Sequence, residues 1–183
     1  MRILGVTGWS GAGKTTLLVK LIPVLTGRGL RVSTVKHAHH SFDVDKPGKD
    51  SYRHRAAGAT EVLISSAARW ALMHEIRENS EPGLEQILER MTPVDLVLVE
   101  GFKGEGHDKI EVHRVNLEKP LLCRKDDSFI ALAANYSPEN LILPLLNLDD
   151  VEMIANFVVD YCLSQELASR TNWPTIVSIR SKI

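Results

Sequence analysis

Residues 8–16, GWSGAGKTT, set three glycines, a lysine and two threonines directly behind the apolar run at residues 3–6. Gly8, Gly13, Lys14 and Thr15 satisfy the pattern G-x-x-x-x-G-K-[ST], which has chemical meaning only after a strand and at the opening of a helix. The neighbouring residues supply both: 2–7 read as a buried strand, and 14–28 as a helix in which Pro23 is a candidate kink. In that setting the glycines let the backbone approach a phosphate and turn successive N–H groups inward. The binding loop is then Gly8, Trp9, Ser10, Gly11, Ala12, Gly13, Lys14, Thr15 and Thr16. Lys14 is expected to reach the β- and γ-phosphates and Thr15 to bind Mg²⁺ through its hydroxyl. The positive end of the helix favours the anion.

Working outward, short apolar runs alternate with helical patterns, which predicts an α/β fold: P-loop NTPase-like, a mostly parallel sheet flanked by helices, with a β-hairpin excursion. Strands are expected over 31–36, 61–64, 94–99 and 129–133, with 70–73 as the hairpin partner of 61–64. Residues 110–115 alternate like a half-exposed strand. A short helix is expected over 49–57, stopped at Gly58. Leu84, Ile87, Leu88 and Met91 recur at helical spacing after Pro82-Gly83 and predict an amphipathic helix. The last helix spans 150–167, with Asp149 and Glu152 at the spacing of a capping box. At 183 residues one nucleotide-binding domain over 1–167 is expected. The tail 168–183 fits the plan poorly and reads either as an edge element or as non-native residues.

A phosphate loop also needs a carboxylate on the metal side. Residues 95–100, DLVLVE, form an apolar strand ending in an acid, and parallel sheets carry ligand chemistry at the carboxyl ends of their strands. Glu100 is therefore the candidate to hold Mg²⁺ through water or to orient a nucleophilic water, with Lys14 beside it in the catalytic set. Asp95, at the other end of the strand, is roughly 16 Å away at about 3.3 Å per residue and cannot share that role. The stretch 36–58 holds four of the seven histidines with Lys36, Lys46, Lys49, Asp43, Asp45, Asp50, Arg53 and Arg55. Its cations, Arg53 and Arg55 first, could close over phosphates, and Asp43 or Asp45 could assist the metal. His37, His39 and His40 could instead hold a transition metal. The base is not specified: residues 124–127, RKDD, lack the Asn of an N-K-x-D loop, and Asn135 is an alternative base contact or a turn residue.

Charge and composition narrow the partners. Twenty-two Lys and Arg against twenty-three Asp and Glu leave a formal charge of −1, so no global field favours nucleic acid or an anionic membrane. Cys123 and Cys162 form no C-x-x-C pair and suggest neither a disulfide framework nor a thiolate zinc site. No secretory leader and no apolar stretch near the roughly 20 residues of a membrane helix is visible, and a soluble cytoplasmic protein is expected.

The segments WSGAGKTTLL, KHAHHSFDVDKPGKDSYRHRAAGA, RWALM and LVLVEGFK together resemble the MobB family of molybdopterin-guanine dinucleotide biosynthesis adaptor proteins. The second and longest segment makes the match specific, since phosphate loops are widespread. The resemblance covers about residues 2–163. It implies a P-loop fold, GTP binding with weak hydrolysis, homodimerisation, and partnership with MobA, the guanylyltransferase of molybdenum-cofactor maturation, acting on molybdopterin. By the same resemblance, 8–16 is the phosphate loop, Glu100 ends a Walker B-like strand, and the region 43–55 flanks the nucleotide. Two other readings stay open: a small-molecule kinase built on the same loop and acid, and a metal chaperone using the histidines.

Overall fold

The structure, a computed structural model, describes residues 1–38, 42–77 and 80–169. In chain order its elements are β1 (Arg2–Thr7), α1 (Lys14–Gly27), β2 (Val32–Lys36), α2 (Asp50–Ala56), β3 (Glu61–Ser65), β4 (Trp70–His74), α3 (Leu84–Leu88), β5 (Leu96–Glu100), β6 (Lys109–His113), β7 (Phe129–Ala134), β8 (Leu145–Asn147) and α4 (Val151–Ser169). Within the stretch read as one domain, the chain groups into two compact units. One is Met1–His37 with the chain from Thr92 onward, and the other is Ala38–Met91.

The first unit is built on a six-stranded sheet in the order β2-β5-β1-β6-β7-β8. Every pairing in it is parallel. Register puts Leu4 beside Leu98, and Val6 beside both Glu100 and Ile110. Side chains alternate across a strand, so Leu4, Val6, Leu96, Leu98, Ile110 and Val112 share one face. That face meets Leu17, Leu18, Leu21 and Leu25 of α1 and Ile154, Val158 and Cys162 of α4 in one buried cluster. Each fully buried Leu or Ile is worth about 1.5–3 kcal/mol. This packing holds the carboxyl ends of β1, β5 and β6 side by side.

Three local expectations are corrected. Strand β6 is buried throughout rather than half exposed. It lies between β1 and β7, and residues 119–128 fold back over its outer face. There Glu111 accepts hydrogen bonds from Leu122 N (2.9 Å) and Cys123 N (2.8 Å), and Lys109 Nζ donates to Ser128 Oγ at 2.6 Å. His113 Nε2 lies 2.9 Å from the Lys119 carbonyl, so it is the donor, and Nδ1 accepts from the Tyr136 hydroxyl, also at 2.9 Å. At the start of α4 the cap is Asp150, whose carboxylate accepts from Met153 N at 2.9 Å, while Glu152 pairs with Arg28. The helix begins one residue later than the Asp149–Glu152 spacing requires, so Asp150 reaches the third helical N–H. Helix α3 stops at Leu88 because the next turn tightens, with Arg90 N bonding Ile87 O and Met91 N bonding Leu88 O, both at 3.1 Å. Strand β8, three residues long, is too short to leave a periodic signal.

In the second unit β3 and β4 form the antiparallel hairpin, with Leu63 opposite Leu72 and Ser65 opposite Trp70. Leu63, Leu72 and Trp70 share one face and are 59%, 47% and 65% exposed. The tail residues 170–183 lie outside the described residues.

Candidate functional site

The loop between β1 and α1 is shaped by backbone freedom. Gly8 has φ 156°, and a Cβ there would stand 2.3 Å from the carbonyl oxygen of Val112 on β6. Gly13, at φ 96° and ψ 17°, is the left-handed N-cap of α1 and offers no side-chain cap. The N–H groups of Lys14, Thr15 and Thr16 open the helix, where no carbonyl four residues back lies inside it. They are available to an anion at the positive end of the helix. Lys14 Nζ arches back over the loop to the carbonyls of Gly8 (3.1 Å) and Trp9 (3.0 Å). Burial pushes its pKa below the usual lysine value; Glu100 opposes the shift, and Lys103 and Lys36 add to it. Lys36 and Lys103 thus stand close enough to Lys14 for their charges to act on it.

On the β5 side Thr15 Oγ1 donates to Glu100 Oε1 at 2.9 Å, and Lys36 Nζ lies 3.6 Å from the same oxygen. This juxtaposition follows from the sheet. Glu100 is in register with Val6 of β1 and with Lys36 of β2, so all three sit at the same carboxyl edge. Gly101 (φ 101°) and Phe102 (φ 48°) then turn the chain sharply. Thr7 Oγ1 holds the Gly101 carbonyl at 3.3 Å, and a Cβ on Gly101 would stand 2.9 Å from His37 Cβ. The Thr15 hydroxyl and the Glu100 carboxylate are hard oxygen donors beside a phosphate-type loop, and this set fits Mg²⁺.

The β6 side carries residues that sequence reasoning did not single out. Arg114 follows β6 directly, and its Nε and Nη2 lie 3.1 and 3.3 Å from where a Cβ on Gly13 would stand. Leu117 lies against Gly11, 3.7 Å by the same measure. Trp9 Nε1 donates to the Pro120 carbonyl at 2.8 Å, and Lys103 and Lys119 approach the Trp9 ring at 4.9 and 5.8 Å. Asn135, read from sequence as a base contact or a turn residue, uses Oδ1 to accept from Val115 N at 3.2 Å. It thereby holds the turn that presents Arg114. A lone arginine after a strand gives no sequence signal. Only the adjacency of β1 and β6 makes Arg114 conspicuous.

The charged candidates of residues 43–55 are paired within the second unit. Arg55 Nη2 bonds Asp43 (3.0 Å) and Asp45 (2.8 Å), and Arg55 Nη1 lies 3.6 Å from Glu75. Arg53 lies 3.9 Å from Asp50, with both side chains exposed. His37 packs its ring on Phe102, with centroids 4.7 Å apart. His39 and His40 lie outside the described residues. Among the described residues no helix is long and apolar enough to cross a membrane.

A parallel sheet with a glycine-rich loop after β1, its lysine and threonine opening α1, and an acid ending the neighbouring β5 define a P-loop NTPase-like α/β protein. A family model described as MobB, molybdopterin guanine dinucleotide synthesis protein B, matches residues 3–135, and the chain belongs to that family. It is 46% identical over 166 residues to the molybdopterin-guanine dinucleotide biosynthesis adapter protein of Escherichia coli, covering 89% of this chain and 94% of the relative. The Haemophilus influenzae protein of the same name is 46% identical over 160 residues, covering 87% and 88%. A crystal structure of molybdopterin-guanine biosynthesis protein B superposes with a TM-score of 0.69 at 31% identity, over 87% of this chain and 99% of that one.

Proposed function

We propose that this chain is a GTP-binding adaptor of molybdopterin guanine dinucleotide synthesis. It binds GTP with Mg²⁺ at residues 8–16, hydrolyses it slowly, and assists a MobA-type guanylyltransferase acting on molybdopterin in the cytoplasm. The observation that carries the reading is the Thr15–Glu100 hydrogen bond of 2.9 Å at the mouth of the phosphate loop. It joins the two groups that would hold a metal and let it neutralise the phosphate charge, as in other P-loop proteins. Family membership and the adapter names of the E. coli and H. influenzae relatives support the pathway. Mg²⁺ supplies charge neutralisation on the phosphates when bound; the loop N–H groups and Lys14 supply binding and orientation.

Slow turnover is the expectation for this residue set. An arginine finger alone is worth about 10³ to 10⁵ in rate. Arg55, one of the arginines considered for that part, is engaged by Asp43, Asp45 and Glu75. Hydrolysis by the protein alone should fall well below typical enzyme turnover of about 1 to 10³ per second.

Homodimerisation is part of the proposal. The exposed face of Leu63, Leu72 and Trp70 on a two-stranded hairpin supports it, since such a hairpin is marginally stable by itself and gains from a cover. Titration with GTP and with ATP, each with and without Mg²⁺, tests the binding reading. Binding that prefers GTP and requires Mg²⁺ for full affinity is expected, and no binding of either nucleotide would overturn it. Light scattering at micromolar concentration tests the dimer.

A further inference from the structure

The guanidinium of Arg114 is half buried against the phosphate loop, yet among the described residues no hydrogen bond or ion pair engages it. Such a group has five N–H donors in a fixed planar fork. Three other side chains of the loop are engaged. Trp9 is tied to Pro120, Thr15 to Glu100, and Lys14 to two loop carbonyls. Arg114 rests on Gly13, where a Cβ would crowd it at 3.1 Å, so the left-handed glycine and the arginine fit as a pair. Asn135 holds the turn behind it through Val115 N. A positioned cation with free donors beside backbone N–H groups suits a phosphate group, two of whose oxygens accept the planar fork in bidentate fashion.

Topology says which phosphate. Strand β1 has β5 on one side and β6 on the other. Thr15 and Glu100 lie on the β5 side, so a metal held by them, and the terminal phosphates whose charge it would neutralise, would belong there. Arg114 approaches from β6, on the opposite flank. Resting on the nucleotide reading above, we propose that Arg114 binds the phosphate nearest the ribose. It is thus a further nucleotide-binding residue that recognises the α-phosphate shared by nucleoside di- and triphosphates, and it is not a finger on the γ-phosphate.

The test is equilibrium titration of the full chain with Mg·GTP and with GDP, for wild type, Arg114→Ala, Arg114→Lys and Lys14→Ala, together with GTP hydrolysis at saturation. Arg114→Ala is expected to weaken GTP and GDP by the same factor, about ten- to a hundredfold. Its turnover at saturating GTP should stay within about threefold of wild type, because the lost contact is the same in the ground and transition states. Arg114→Lys keeps the charge without the fork and should recover part of the affinity; if the alanine variant fails to fold, the lysine variant carries the test with a smaller, equal loss for both ligands. Wild-type affinity for both nucleotides in a folded Arg114 variant would overturn the proposal. So would a loss confined to GTP, or a turnover that collapses while GDP affinity holds, since either places the arginine on the γ-phosphate. Failure of wild type to bind any nucleotide would instead remove the nucleotide reading itself, and the wild-type arm reports that separately.

Discussion

Gly8→Ala tests the claim that the phosphate loop is shaped by its contact with β6. The alanine Cβ would stand 2.3 Å from the Val112 carbonyl oxygen, where real Cβ atoms essentially never come under 3.0 Å, so the two backbones must part by at least 0.7 Å (3.0 minus 2.3). The obstacle is backbone of a central strand, and no side-chain rotation relieves it. Overpacking of this kind costs about 1–3 kcal/mol, and a φ of 156° adds strain for a residue with a Cβ, of order 1–3 kcal/mol. A combined loss of about 3–4 kcal/mol corresponds to a Tm lower by roughly 6–16 °C in a protein of this size. Gly27, the last residue of α1, has open space at its Cβ position and no positive φ. Gly27→Ala should therefore stabilise by about 0.5–1 kcal/mol through helix propensity. Thermal and urea unfolding of both variants, with GTP titration of the folded material, provide the measurement. A Gly8→Ala protein that melts and binds nucleotide like wild type would refute the geometry of the loop.

Lys14→Ala should leave the fold intact and weaken GTP roughly ten- to a hundredfold, because hydrogen bonds to charged groups are worth about 1.5–3 kcal/mol; unchanged affinity would remove the phosphate-loop assignment. Glu100→Gln keeps an acceptor for Thr15 Oγ1 but loses the charge that would face a bound Mg²⁺, so on the proposed function hydrolysis should fall much more than binding. Turnover within about twofold of wild type would give the role to another acid. At the far end of β5, hydrogen bonds from Arg31 hold the Asp95 carboxyl down to about 2. A depressed carboxylate contributes stability above its unfolded pKa of about 3.9 and loses it as pH falls through the folded value. The difference in urea midpoint between wild type and Asp95→Asn should thus be fullest at pH 5–7 and shrink between about pH 4 and pH 2; a difference that grows on acidification would contradict this sign.

Much of this site is local chemistry and therefore legible in the chain. The glycine spacing of residues 8–16, the lysine and threonine opening α1, and the acid closing the run 95–100 each state their requirement within a few residues. The β3–β4 hairpin and the long helices also follow from period and turn residues. What the tertiary structure decided concerns partners far apart in sequence. Alternation in 110–115 reads as half exposure because nothing local says that residues 119–128 return to bury Glu111 and His113. Mixed charges in 43–55 read as cations for phosphate and acids for metal, and only folding pairs Arg55 with Asp43 and Asp45. Asn135 reads as a base contact or a turn residue, and only the fold puts its Oδ1 on Val115 N. Arg114 is silent in the sequence, 101 residues (114 minus 13) from Gly13. It becomes a ligand candidate because parallel strands β1 and β6 are neighbours, and their carboxyl ends, which no sequence period encodes, open at the same edge.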